Sequence, residues 1–237
     1  MNYIMNHKVK AAFVGFGEVN TPKEIIERKC TDAKKELEKI GIELVVNVIV
    51  SDDSEENEVE RTIKKLSTEN FDFLILCIAG WIPSHTIICI ASEFSYKPML
   101  LWGLSGYYKN DILMTTGDQA GTSAIRKIMK DMDYNFKYVY NCPGSLPSMD
   151  KINNFAKAAK AVNLLNHSKI GMMGFRDMNL YGTLYDGVSL RKKIGPEVEN
   201  FEMLEIVQKI AKLGRREVLE IVDEIKKEWI FEKHISD

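Results

Sequence analysis

No charge of one sign dominates this chain: 32 Lys and Arg stand against 34 Asp and Glu in 237 residues, a formal net charge of −2. A nucleic-acid partner ordinarily demands a basic face, so the balance argues against one. Long hydrophobic runs are missing too. The longest, 73–79 and 87–91, fall far short of the ~20 residues needed to cross a bilayer. Residues 1–10 carry His7, Lys8 and Lys10 but no apolar stretch, so no secretory signal is expected in them. Fifteen Gly and six Pro are too few for a fibrous or disordered chain. The expectation is a cytoplasmic α/β protein with neither a nucleic-acid nor a membrane partner.

Cysteine and histidine are sparse and scattered. Cys30, Cys77, Cys89 and Cys142 form no C-x-x-C pair, and no His lies at zinc-site spacing from them. Cys77 in FLILCIA and Cys89 in TIICIA sit where Cys behaves as a small hydrophobe, so buried, reduced thiols are expected. The four His (His7, His85, His167, His234) include no i, i+4 pair. Asp52, Asp53, Glu55 and Glu56 precede a charged helix and are expected as a solvated loop complementing its N-terminal dipole.

The common catalytic signatures are absent as well. No G-x-x-x-x-G-K-[ST] occurs, and Gly144-Ser145-Leu146-Pro147 lacks the strand–turn–helix setting of a nucleophile elbow. Gly15-Phe16-Gly17 follows a strand-like run, but Asn20 stands where the dinucleotide fingerprint needs a third glycine, and the helix opens only at Pro22. His85 beside Ser84 is no dyad, since helix neighbours in sequence do not face one another.

What is present is alternation. Strand-like runs at 10–16, 42–50, 71–78, 98–102 and 137–140 interleave with helical stretches at 22–40, 54–66, 84–94 and 120–132, and 103–117 reads as a long glycine- and tyrosine-bearing loop. The first helix has full punctuation: Thr21 as N-cap, Pro22 at N1 and Gly41 as stop. The near-continuous apolar run at 71–78 fits a strand buried on both faces. Together these predict an α/β fold with a doubly wound parallel sheet over 1–150. A connecting helix at 149–165, a strand at 169–175, a helix at 184–194, a weak strand at 197–201 and further helix broken near Gly214 follow. Residues 151–237 therefore read as a linker helix and an incomplete second, Rossmann-like α/β domain.

Three segments carry more than scaffold chemistry: 79–86 with Trp81, 101–106 with Trp102, and 174–186, GFRDMNLYGTLYD. The first two follow strands, at the sheet edge where open α/β folds bind ligands. A Trp at that edge offers a flat apolar wall to a small molecule.

The order of these segments (the Trp81 loop, Leu101-Trp102-Gly103, then 169–186 with Met178, Gly182 and Asp186) resembles the N-terminal portion of the L-fucose isomerase / L-arabinose isomerase superfamily. The resemblance implies two flavodoxin-like α/β domains before a C-terminal β-rich domain, and aldose–ketose isomerisation assisted by manganese. It implies Trp81 and Met178 as substrate-binding residues, with no catalytic base and no metal ligand in this chain. On that reading the chain alone binds no cofactor and is inactive. A sugar is its ligand, homo-oligomers are expected, and a C-terminal half or partner chain supplies the metal site. The alternative reading is a free-standing, non-catalytic sugar-binding or regulatory module.

Overall fold

A computed structural model describes residues 8–53, 57–143 and 147–233 of the chain. His7, His234, Glu55, Glu56 and positions 144–146 of the Gly144–Pro147 stretch lie outside the described residues. The chain divides into two compact units, Met1–Leu164 and Leu165–Asp237.

The first unit is a doubly wound α/β fold. Strands β1 (Val9–Phe16), β2 (Ile42–Val50), β3 (Phe73–Ile78) and β4 (Met99–Gly103) alternate with helices α1 (Lys23–Lys39), α2 (Asn57–Ser67) and α3 (Ser84–Glu93). A small hairpin, β5 (Tyr107–Lys109) and β6 (Ile112–Met114), interrupts the pattern before α4 (Asp118–Asp131), β7 (Phe136–Tyr140) and α5 (Met149–Asn166). The five long strands form one parallel sheet in the order β2-β1-β3-β4-β7, the flavodoxin-like order with its switch point between β1 and β3.

Side chains alternate across the pleat, so each strand feeds two cores. One face packs Ala12, Val14 and Phe16 of β1 and Leu74, Leu76 and Ile78 of β3 against α2, α3 and α4. The other packs Phe13, Phe73, Ile75 and Trp102 against Ile26, Cys30, Ala33 and Leu37 of α1 and Ile152, Ala156 and Ala159 of α5. The apolar continuity of β3 is thus the signature of a strand covered on both sides.

Three local expectations are corrected. Pro22, not Thr21, holds the N-cap position of α1, with ψ 123°, and the helix starts at Lys23; Gly41 does stop it, at φ 84°. Cys89 is exposed, as is Cys142, whereas Cys30 and Cys77 are buried. The stretch 103–117 is not plain loop. Asn110 and Asp111 take φ 50° and 60°, the doubly left-handed backbone of a tight turn that matches strand twist, and fold Tyr107–Lys109 onto Ile112–Met114.

The second unit is thinner. β8 (Lys169–Met173) and β9 (Glu197–Phe201) pair in parallel, joined through α6 (Gly187–Lys193) and followed by α7 (Met203–Ile210) and α8 (Arg215–Glu228). Gly214 is the N-cap of α8, at the break foreseen in the sequence. Among its described residues only Gly195 and Pro196 are buried.

Candidate functional site

In a parallel sheet, ligands meet the loops at the carboxyl ends of the strands. Here three such loops are laced together by backbone hydrogen bonds. Ala79 and Gly80 N–H both donate to the Phe16 carbonyl, at 2.9 and 3.1 Å, and Glu18 N–H donates to the Trp81 carbonyl at 2.7 Å. Trp81 N–H in turn donates to the Thr116 carbonyl at 2.7 Å. The loops after β1 and β3 and the return from the hairpin are therefore one rigid edge.

Beneath that edge lies a charged anchor. The Lys29 ammonium reaches from α1 to the Asp118 carboxylate at the start of α4, with side chains 8% and 1% exposed. It also donates to Thr116 Oγ1 at 2.9 Å, and that hydroxyl donates to the Ala79 carbonyl at 2.7 Å. Beside it the Cys77 thiol is pushed well above its usual range by burial, then by its hydrogen bond with Cys30. A thiol held neutral in this way is a poor nucleophile, and the anchor is a positioning device.

The glycines after β1 act through packing. A Cβ on Gly15 would run into Cys30 Sγ, and one on Gly17 would lie 2.5 Å from Ile26 Cδ1. Both keep room for α1 to lie close on the strand end. They make no phosphate cradle: α1 begins six residues after Gly17, and Glu24 already occupies its first turn.

A groove of about 610 Å³ opens beside these residues. The β1–α1 loop contributes Glu18 and Thr21, α1 contributes Lys23, Glu27, Thr31 and Lys34, β2 contributes Asn47, and Ser51 and Glu58 close the far end. Its walls are tied: Val19 N–H donates to Asp52 Oδ1 at 2.8 Å, Ser51 N–H and Oγ donate to Glu58 at 2.7 and 2.8 Å, and Lys34 donates to Asn47 Oδ1 at 3.1 Å. Three carboxylates, two ammoniums, three hydroxyls and an amide thus line it. A second depression, about 460 Å³, sits at the amino ends of the strands. Its buried Asp72 is already satisfied by Lys10 N–H at 2.8 Å and Asn163 Nδ2 at 2.7 Å.

Of the two residues singled out from sequence, Trp81 stands on the laced edge with 41% of its surface exposed. Met178 belongs to the second unit, 77% exposed in a 3-10 turn at φ 43°. Trp102 is fully buried, its indole N–H donating to Asn141 Oδ1 at 3.1 Å. His85 is exposed in the first turn of α3. The groove residues themselves carry no motif; the one pointer to them was the strand-end position of 15–21.

No protein-family model matches the chain, and no curated protein matches it. Among solved structures, a crystal structure of isoflavone reductase aligns with it at a TM-score of 0.34 and 12% identity, over 88% of this chain and 84% of that one. These findings overturn the resemblance to the L-fucose and L-arabinose isomerases, and the isomerase activity and manganese it implied. The physical reason lies in the segments themselves: Leu101-Trp102-Gly103 is the buried end of a core strand, and Met178 lies in an exposed turn, features any α/β chain can share. Among the described residues no group of three or more His, Cys, Asp or Glu could hold a metal ion. Nor is any described helix long and apolar enough to cross a membrane.

Proposed function

We propose that the first unit is a non-catalytic binding module for a neutral, hydroxyl-rich small molecule, a sugar or related polyol, held in the groove between α1 and β2. The observation that carries this reading is the lining of that groove. Charges of both signs, with Thr21, Thr31, Ser51 and Asn47 among them, offer donors and acceptors at short spacing without a net positive field. A polyol uses both kinds of partner, whereas a nucleotide's phosphates would meet Glu18 and Glu24 at the place where a helix N-terminus should receive them. Trp81, half exposed at the adjoining edge, supplies an apolar wall for a sugar ring. A cytoplasmic setting accompanies this reading, since all four cysteines are free.

Titration calorimetry with a panel of pentoses and 6-deoxyhexoses tests it. Binding is expected, weakened roughly tenfold by Asn47→Leu or Thr31→Val, each the loss of about one hydrogen bond. Both positions are exposed, so the fold tolerates the change. Absence of heat with every sugar overturns the proposal, and a thermal shift confined to nucleotides replaces it.

A further inference from the structure

Two thiols meet beneath the laced edge although they come from different elements. Cys30 lies on α1 and Cys77 on β3, and both are wholly buried in the core on the α1 side of the sheet. Gly15 brings them together. It is the register partner of Cys77 on the neighbouring strand, a spacing of about 4.8 Å, and Cys30 Sγ fills the space that a side chain at Gly15 would take. The two thiols are hydrogen-bonded to each other. Burial and that hydrogen bond keep the Cys77 thiol protonated, and the Lys29 ammonium opposes them. Cysteines that serve only as small hydrophobes pack wherever a gap of their size exists. Here the bare backbone of Gly15, on a third element, keeps the pair in contact.

We infer that Cys30 and Cys77 are a redox pair, closing a reversible disulfide between α1 and β3 with a hydroperoxide as the oxidant. With hydrogen peroxide, one thiolate attacks a peroxide oxygen and gives a sulfenic acid and water. The second sulfur then displaces the sulfenic hydroxyl as another water. The two sulfurs give up two electrons in all, the O–O bond is reduced, and both thiol protons leave in the waters. Hydrogen peroxide is scarcely larger than water, so brief local opening of the edge admits it. Disulfides of reducing compartments are characteristically of this transient, redox-responsive kind. The bond would enclose residues 30–77, and with them the second half of α1 and all of β2 and α2. Oxidation thus ties the walls of the α1–β2 groove to a central strand, whatever that groove binds.

The test uses the full chain carrying Cys89→Ser and Cys142→Ser, both at exposed positions, so that only the pair remains. Treated with hydrogen peroxide under native conditions, then unfolded in an alkylating agent, it is expected to lose both titratable thiols and two hydrogens in mass. A non-reducing digest is expected to yield the peptides of Cys30 and Cys77 joined, and dithiothreitol to restore both thiols. The urea midpoint of the oxidised chain is expected to rise by about 1 M, the gain from closing a long loop in the unfolded state. Cys77→Ser in the same background is expected to leave Cys30 as a sulfenic acid trapped by dimedone, with no such rise. The pair-only chain decides the matter even where Cys77→Ser unfolds. Thiols that stay reduced in native peroxide overturn the inference. So do sulfinic or sulfonic acids in place of the joined peptides, a joined product that forms only in urea, or disulfides between chains.

Discussion

Lys29 and Asp118 show how a single pair can hold a sheet edge in place. With both side chains buried, removing one partner strands the other charge away from water. Lys29→Met is therefore expected to destabilise the first unit by about 3–5 kcal/mol in urea titration, whereas the double variant Lys29→Met/Asp118→Leu recovers most of that loss. Nothing in the sequence marked this pair, because 89 positions separate its members and neither belongs to a motif. The glycines were noticed for a different reason from the one the structure gives. Gly15 and Gly17 suggested a nucleotide loop, but their absent side chains make way for Cys30 and Ile26. Gly17→Ala is expected to cost about 1–3 kcal/mol through overpacking, read as a lower midpoint in urea titration. Cys89 was misread because TIICIA was taken as a uniform apolar run; at helical period Ile87, Ile90 and Ala91 turn inward and position 89 faces out.

Among the elements, the long strands and their helices were legible because each is covered in the ordinary way, with punctuation by Pro22 and Gly41 and unbroken apolar runs at β3 and β4. The hairpin escaped notice because its strands span three residues each and its turn lacks glycine. Asp111→Gly is expected to stabilise it by up to about 1 kcal/mol, the relief of a left-handed backbone less the added chain entropy, read as a rise in Tm. Asp186 caps α6, accepting the Ser189 N–H at 3.0 Å, and this hydrogen bond holds its carboxyl below the usual range. Since the folded value lies below the unfolded one of about 3.9, the contribution to α6 is complete above that pH and fades as acid brings the medium down through the folded value. Faster exchange of the Ser189 amide under acid is the expected signature, and Asp186→Asn, which keeps an acceptor, is expected to flatten that dependence. The groove between α1 and β2 was not legible at all, since its polar groups meet only once helix and strand are side by side.

For the molecule as a whole, the two units differ in what they bury. The first has two continuous cores, so its thermal transition is expected at the same temperature whatever the protein concentration. The second buries only Gly195 and Pro196 among its described residues, so its transition is expected at a lower temperature; scanning calorimetry separates the two. The alternation of strand and helix was enough to read the sheet, whereas the sparse core of 165–237 showed in the sequence only as a surplus of helix over strand. The cover of the first sheet has a further consequence, in the order of synthesis. One face is closed by α2, α3 and α4, all complete by residue 131, but the other waits for α5, which ends at Asn166. A growing chain thus carries Phe73, Ile75 and Trp102 on a half-covered face until that helix has left the ribosome, and it is over this interval that nascent chains would be most exposed to chaperones and to one another.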